Sequence, residues 1–112
     1  MDKKIENIRS FSPLIDWDKN PYFTKDFKDQ AKVIFDETID GLSSLEKENI
    51  CNEKHALPIL ENCIQRFNQL KIDTRFFIDT QTREKIIEFF YVIIDAFGLS
   101  YEYGFLDRDR EW

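Results

Sequence analysis

Glycine and proline are both scarce in this chain of 112 residues, which holds three of each. Sandwiches and barrels of β-strands need many turns, and turns depend on these two residues. Long apolar runs are also missing: no stretch reaches the roughly 18 residues that a membrane helix needs. No apolar segment follows the opening Met-Asp-Lys-Lys, as it would in a secretory signal peptide. We therefore expect an all-α protein of the cytoplasm, with no membrane partner.

The residues that most often build metal and catalytic sites are few. Zinc needs about four Cys or His ligands, and the chain holds only His55, Cys51 and Cys63. No Glu-x-x-His pair, Gly-rich phosphate loop or serine nucleophile elbow is present. We expect no metal, no cofactor and no catalysis. An enzyme that uses Glu84, Glu88 or His55 is the remaining alternative.

Cysteine usage adds a hint about the cellular compartment. Two cysteines, Cys51 and Cys63, fit a cytosolic protein with free thiols, and Cys63 falls on the apolar stripe of a predicted helix. A Cys51–Cys63 disulfide bond stays open as an alternative. The pair does not by itself indicate a function.

Basic residues are fewer than acidic ones, 16 against 22, so the net charge is −6. Residues 1–72 carry 13 acidic and 11 basic side chains, whereas residues 73–112 carry 9 acidic and 5 basic ones. Sustained contact with nucleic acid phosphates is therefore not expected. The acidic last third is either a solvated face or a surface that attracts a basic protein partner.

Aromatic residues, in contrast, are abundant at 15% of the chain, eleven of them phenylalanine. Each can bury on the order of 150–250 Å², so the chain can fill a core without disulfide bonds or metal. The surplus serves either this core or a partner interface, where aromatic side chains are common anchors.

Apolar side chains in the first half recur at helical spacing. Ile5 and Ile8 indicate a short first helix, and Ser12-Pro13 indicates the start of a second. Thr24 is predicted to cap a helix that ends near Asp40. Gly41 is then expected to be the left-handed residue past its end, and Ser43 to Glu46 to form a capping box for another short helix. The stripe of the Thr24 helix consists of Phe27, Ala31, Ile34, Phe35 and Ile39.

Two further helices are predicted in the second half. Pro58 is expected in the first turn of a helix that runs to about Lys71, with a stripe of Leu60, Cys63, Ile64, Phe67 and Leu70. Asp79, Thr80 or Thr82 is predicted to cap the next helix, which covers residues 83–97 and stops at Gly98. Because that helix is apolar on nearly every side, we expect it at the centre of a bundle.

One line of polar side chains interrupts this apolar helix. It consists of Glu84, Glu88, Tyr91 and Asp95, at spacing i, i+4, i+7 and i+11. The line is either a solvent window or a contact line for a partner. Arg83 near the helix start opposes the helix dipole, so we expect a compensating carboxylate at Asp79 or among the terminal acids.

The segment after Gly98 combines acids with aromatic side chains, as a partner interface would. Its candidate partner-binding residues are Tyr101, Glu102, Tyr103, Asp107, Asp109, Glu111 and Trp112. Phe105 and Leu106 are expected to pack on the core. Trp112 either packs into the fold or is presented to a partner.

The block from Ile78 to Trp112 carries a resemblance. It reads Ile-Asp-Thr-Gln-Thr-Arg-Glu-Lys-Ile-Ile-Glu-Phe-Phe, continues with Ile-Asp-Ala-Phe-Gly-Leu and closes on Arg-Glu-Trp. With Phe67-Asn68-Gln69-Leu70 before it, this pattern resembles a group of small bacterial helical proteins. That resemblance covers about half the chain and implies a helical fold without implying an activity.

The overall profile is similar to immunity proteins of contact-dependent growth inhibition, which are small, acidic, cytoplasmic and non-catalytic. That similarity implies a partner that is a basic toxin domain, of the nuclease class. We thus predict one domain over residues 1–112, a compact all-α bundle of four to five helices that neutralises a toxin and is a monomer or weak dimer when free. A helical adaptor or a homo-oligomeric structural protein is the alternative.

Overall fold

Three polar side chains fix where the long helices begin. The computed structural model describes residues 3–101 together with Phe105, Arg110 and Trp112. Thr24, Asn52 and Asp79 each accept a hydrogen bond from the backbone N–H three residues further on, over 3.2, 3.0 and 2.8 Å. Such caps satisfy amide groups that the first helical turn leaves without a partner.

Five helices follow from these starts and from apolar spacing, and the described residues form no strand. They are α1 (Lys3–Ser10), α2 (Leu14–Trp17), α3 (Lys25–Lys47), α4 (Glu53–Thr74) and α5 (Thr80–Ala96). One cluster of buried apolar side chains includes residues from every helix. The predicted all-α bundle is thus confirmed. No helix in the described ranges has the length and apolarity needed to cross a bilayer.

Helices α3 and α4 form an antiparallel hairpin. The rings of Phe35 and Phe67 lie 5.1 Å apart near its middle, and Arg66 of α4 forms an ion pair with Glu37 of α3. Nearer the connection, Gly41 faces Ile59: a Cβ atom at Gly41 would lie 3.3 Å from the Cδ1 atom of Ile59. The missing side chain therefore lets the two helices approach closely.

The predicted end of α3 at Gly41 is wrong, and so is the capping box at Ser43 to Glu46. The helix continues to Lys47 because the apolar stripe continues: Leu42 is fully buried and Leu45 packs against the core. Burial of these side chains outweighs the modest helix penalty of one glycine, about 1 kcal/mol.

The predicted start of α4 in the turn of Pro58 is also wrong. The helix begins five residues earlier, at Glu53, and ends at Thr74 rather than near Lys71. Asn52 supplies the cap, and Ala56 is fully buried. Pro58 lies inside the helix, where it gives no N–H to the preceding turn.

Helix α5 agrees with its predicted boundaries to within three residues and is capped by Asp79. The ring of Phe89 meets Phe35 of α3 edge to face at 4.8 Å, and Gly98 takes the left-handed conformation past the helix end. Helix α1 packs against α5, and ion pairs of Lys4 with Glu46 and of Arg9 with Asp36 join it to α3. Ile8 of α1, Phe89 of α5 and Phe35 and Phe67 of the hairpin all belong to the buried core.

Candidate functional site

The polar line on α5 is exposed along its whole length. Glu84, Glu88, Tyr91 and Asp95 all face solvent, with 42% of Tyr91 exposed. The opposite side of the helix buries Ile86, Phe89, Phe90, Ile93 and Ile94. Since the buried side fixes the rotation of α5, the line is held in one direction on the surface.

The carboxylates of this line form no ion pair with another described residue. Ion pairs join residues of α1, α3 and α4, for example Lys32 with Asp36 at 2.8 Å. Within the described part of the chain, no side chain of α5 takes part in an ion pair. Glu84, Glu88 and Asp95 are therefore exposed to solvent without a described ion-pair partner.

The N-terminal end of α5 borders a small pocket of about 250 Å³. Its walls include Asp16, Tyr22, Asp79 and Lys85. Hydrogen bonds from the side chain and backbone of Thr82 hold the pKa of Asp79 below its ordinary value. Asp79 therefore stays ionised while it caps the helix.

Tyr101, predicted as a partner-binding residue, is tied to the fold. Its hydroxyl donates a hydrogen bond to the backbone carbonyl of Glu53 over 2.8 Å, and its ring stacks on Phe105 at 4.5 Å. Partial burial, with the nearby Glu53 charge second, raises the pKa of Tyr101 to about 12. Phe105 is itself buried, as the sequence predicts.

Trp112 packs into the fold rather than standing free. Its indole ring lies 5.9 Å from the ring of Phe67 and 5.1 Å from the guanidinium carbon of Arg110. The side chain is half-buried. Of the two readings that the sequence leaves open, the structure thus favours packing.

Several predicted residues lie outside the described part of the chain, namely Glu102, Tyr103, Leu106, Asp107, Asp109 and Glu111. The expected ion pair of Arg83 with Asp79 is absent from the described residues. Asp79 is engaged as the helix cap instead. The terminal acids, the other candidates for Arg83, fall among the residues not described.

Three exposed aromatic residues, Phe11, Tyr22 and Phe77, were not identified from the sequence, and of these Tyr22 and Phe77 contact each other. Phe77 is 71% exposed and Tyr22 is 46% exposed, and the hydroxyl of Tyr22 donates a hydrogen bond to the carbonyl oxygen of Phe77 over 2.8 Å. The signal was the apolar triplet Phe76-Phe77-Ile78 in a short connection. In this connection Phe76 and Ile78 face the core of the protein, and Phe77 between them faces outward.

Cys51, Cys63 and His55 are the side chains on which nucleophilic or zinc chemistry would depend. Both thiols are free, and burial raises the pKa of Cys51 and brings that of Cys63 to about 12. The imidazole Nδ1 of His55 lies 2.9 Å from the side-chain oxygen of Asn52. Among the described residues, no group of three or more His, Cys, Asp or Glu side chains is placed to hold a metal ion.

Comparison with protein-family models, with curated proteins and with solved structures finds no match to this chain. The geometry of its own residues is therefore the basis for a functional proposal. Two features stand out in that geometry: the α5 carboxylates, which have no ion-pair partner among the described residues, and the exposed pair of Tyr22 and Phe77 near the N-terminal end of α5.

Proposed function

We propose that this protein is a toxin-neutralising immunity protein, which binds a basic toxin domain of the nuclease class and blocks it without catalysis. The observation that supports this proposal is the exposed line on α5. Its three carboxylates, Glu84, Glu88 and Asp95, have no ion-pair partner in the described part of the chain. A net charge of −6 adds a long-range attraction to basic surfaces.

The electrostatics of a nuclease explain why such a line would bind one. A nuclease cleft must attract phosphate, so it is basic. Residues 84 and 95 are eleven positions apart, which spans about 16 Å at a rise of roughly 1.5 Å per residue. A rigid row of carboxylates of this length competes for the cations that hold a nucleic acid backbone, and it speeds association.

The test is inhibition of any nuclease domain that is encoded beside this chain, at rising molar ratio. We expect cleavage to stop at one protein per toxin domain. Charge reversal by Glu84→Lys with Glu88→Lys should weaken inhibition about tenfold or more, as at other desolvated charge pairs. The melting temperature should stay unchanged, because neither carboxylate has an ion-pair partner among the described residues.

The matched control is Glu6→Lys with Glu48→Lys, which reverses two exposed carboxylates on α1 and after α3. It makes the same change in net charge away from α5. Equal loss of inhibition in both double variants would contradict a specific role of the line. Absence of inhibition at equimolar ratio would end the proposal.

A homo-oligomeric structural protein or adaptor is the second candidate, favoured by a different observation. Phe77, Ile72 and Phe11 are 71%, 63% and 60% exposed, and exposed apolar side chains of this size are common in interfaces between copies. Sedimentation of the protein alone separates the two. A tight dimer supports the second candidate, and a monomer supports the first.

A further inference from the structure

We infer that Tyr22 and Phe77 form the aromatic anchor of the partner interface, and that the partner surface seated on this pair is basic with an apolar recess. We call the two residues the Tyr22–Phe77 anchor. The inference rests on the proposed function and deepens it, since it places the energetic centre of binding beside the N-terminal end of α5. It moves the anchor away from Tyr101 and Trp112, which pack into the fold.

The exposure of Phe77 is the first observation. Its neighbours Phe76 and Ile78 are only 7% and 6% exposed, whereas Phe77 is 71% exposed. The short connection between α4 and α5 is therefore held from both sides by buried residues. The connection exposes the large apolar side chain of Phe77 to water, and burial of this side chain in a recess of a partner would be favourable.

The second observation is that the Tyr22 side chain and the Phe77 backbone are held in place. The Tyr22 hydroxyl donates a hydrogen bond to the carbonyl of Phe77, and the Tyr22 ring meets Phe23 and Phe76 edge to face at 5.2 and 5.1 Å. Behind them, Phe76 stacks on Phe27 at 4.1 Å. The Tyr22 side chain, already fixed by its neighbours, loses little freedom on binding, which favours affinity.

The third observation is continuity with the acidic line. Tyr22 lines the pocket of about 250 Å³ whose other walls include Gln81 and Lys85 of α5. Gln81 and Lys85 are exposed. Each lies three positions before a carboxylate of the line, Gln81 before Glu84 and Lys85 before Glu88, so that each pair is adjacent on the helix surface. The anchor and the line therefore belong to one continuous surface.

The charge of this surface indicates which kind of partner binds to it. The pocket and the line together carry five carboxylates, on Asp16, Asp79, Glu84, Glu88 and Asp95, and one ammonium group, on Lys85. Arg75, two positions before Phe77, and Arg83, next to Glu84, add two guanidinium groups, which leaves an excess of two negative charges. A second copy of this chain would place like charges against each other, which costs binding energy. A basic partner gains from the same arrangement, with aromatic contact at the centre and charge around it.

The experiment uses the whole protein and a defined probe, a synthetic amphipathic helix with leucine on one face and lysine on the other. Binding is followed by fluorescence anisotropy of the labelled peptide at low salt. Phe77→Ala should weaken binding about tenfold or more, as expected for an anchor aromatic. The matched control is Phe11→Ala, since Phe11 is 60% exposed but lies after α1; we expect its effect to stay below about twofold.

Amide chemical shifts locate the peptide on the unmodified protein. We expect the largest changes at Phe77, Gln81, Lys85 and Glu88. Changes confined to the groove between α3 and α4, equal effects of the two alanine variants, or no peptide binding at low salt would each overturn the inference. So would a dimer of the protein alone that Phe77→Ala dissociates, because the occupant would then be a second copy.

The inhibition test on any nuclease domain encoded beside this chain distinguishes this inference from the proposed function. If that domain is inhibited and Phe77→Ala inhibits equally well, the function stands and the anchor is wrong. If it is not inhibited but the peptide binds at Phe77, the toxin proposal falls and the anchor stands.

Discussion

The hydroxyl of Tyr22 donates a hydrogen bond to the carbonyl oxygen of Phe77 across 2.8 Å. This bond joins the segment before α3 to the connection between α4 and α5, which are 55 positions apart in the chain. It therefore links two regions whose relative position determines the surface at the N-terminal end of α5. Its removal has a measurable consequence.

Tyr22→Phe should lower the free energy of unfolding by about 0.5–1.5 kcal/mol, the net value of one hydrogen bond. Amide exchange at Phe77 and Ile78 should accelerate, because the connection loses its tie to Tyr22. Chemical denaturation and hydrogen exchange measure the two effects. Tyr91→Phe is the matched control: Tyr91 is 42% exposed, and unchanged stability is expected for it. Equal losses in both variants would mean that the Phe77 carbonyl does not matter.

Gly41→Leu should destabilise the hairpin of α3 and α4. A Cβ atom there would lie 3.3 Å from the Cδ1 atom of Ile59, so a leucine displaces the Ile59 side chain from its packed position. Overpacking of this kind costs about 1–3 kcal/mol, more than the gain of up to about 1 kcal/mol in helix propensity. Urea denaturation gives the difference. Ser44→Leu, on the exposed side of the same helix, should change stability by less than about 0.5 kcal/mol.

Stability should fall as the pH rises through the window from about 10 to about 12. The pKa of Tyr101 is raised from its ordinary value of 10.0 to about 12 in the folded protein. The unfolded chain therefore loses this proton first, and deprotonation favours unfolding above pH 10. Thermal melting across this range should show a smaller decline for Tyr101→Phe than for the unmodified protein. A decline of the same size in both would exclude Tyr101 as its source.

The two thiols should differ in reactivity. Cys63 is buried, with a pKa raised to about 12, whereas Cys51 is half-buried. Since the thiolate is the nucleophile, iodoacetamide should modify Cys51 slowly and Cys63 hardly at all under native conditions. Mass spectrometry should find one adduct on the folded protein and two in urea. Rapid labelling of Cys63 in the native state would contradict the tight packing around it.

Most of the fold could be predicted from the helical spacing of apolar residues and from local capping residues. The stripes of α3, α4 and α5, the cap at Thr24 and the stop at Gly98 all follow from local sequence. The errors arose where tertiary packing decides between two local preferences. Gly41 suits a helix end, but burial of Leu42 and packing of Leu45 against the core continue the helix past it.

The candidate site was predictable only in part. The polar line on α5 could be read from spacing, because a helix that is otherwise apolar fixes which side faces solvent. Tyr101 and Tyr22 could not be distinguished in the same way. Tyr101 bonds to Glu53, 48 positions away, and Tyr22 bonds to Phe77, 55 positions away. No local sequence pattern encodes contacts between residues so far apart.

Glu84, Glu88 and Asp95 take no part in ion pairs within the described part of the chain. Substitutions at these positions change the charge of the surface while the stripe of Ile86, Phe89 and Ile93 continues to hold the helix in place. The surface charge and the stability of the core are thus determined by separate residues of the same helix. The outer side of α5 can therefore be redesigned for a different charge without repacking the core beneath it.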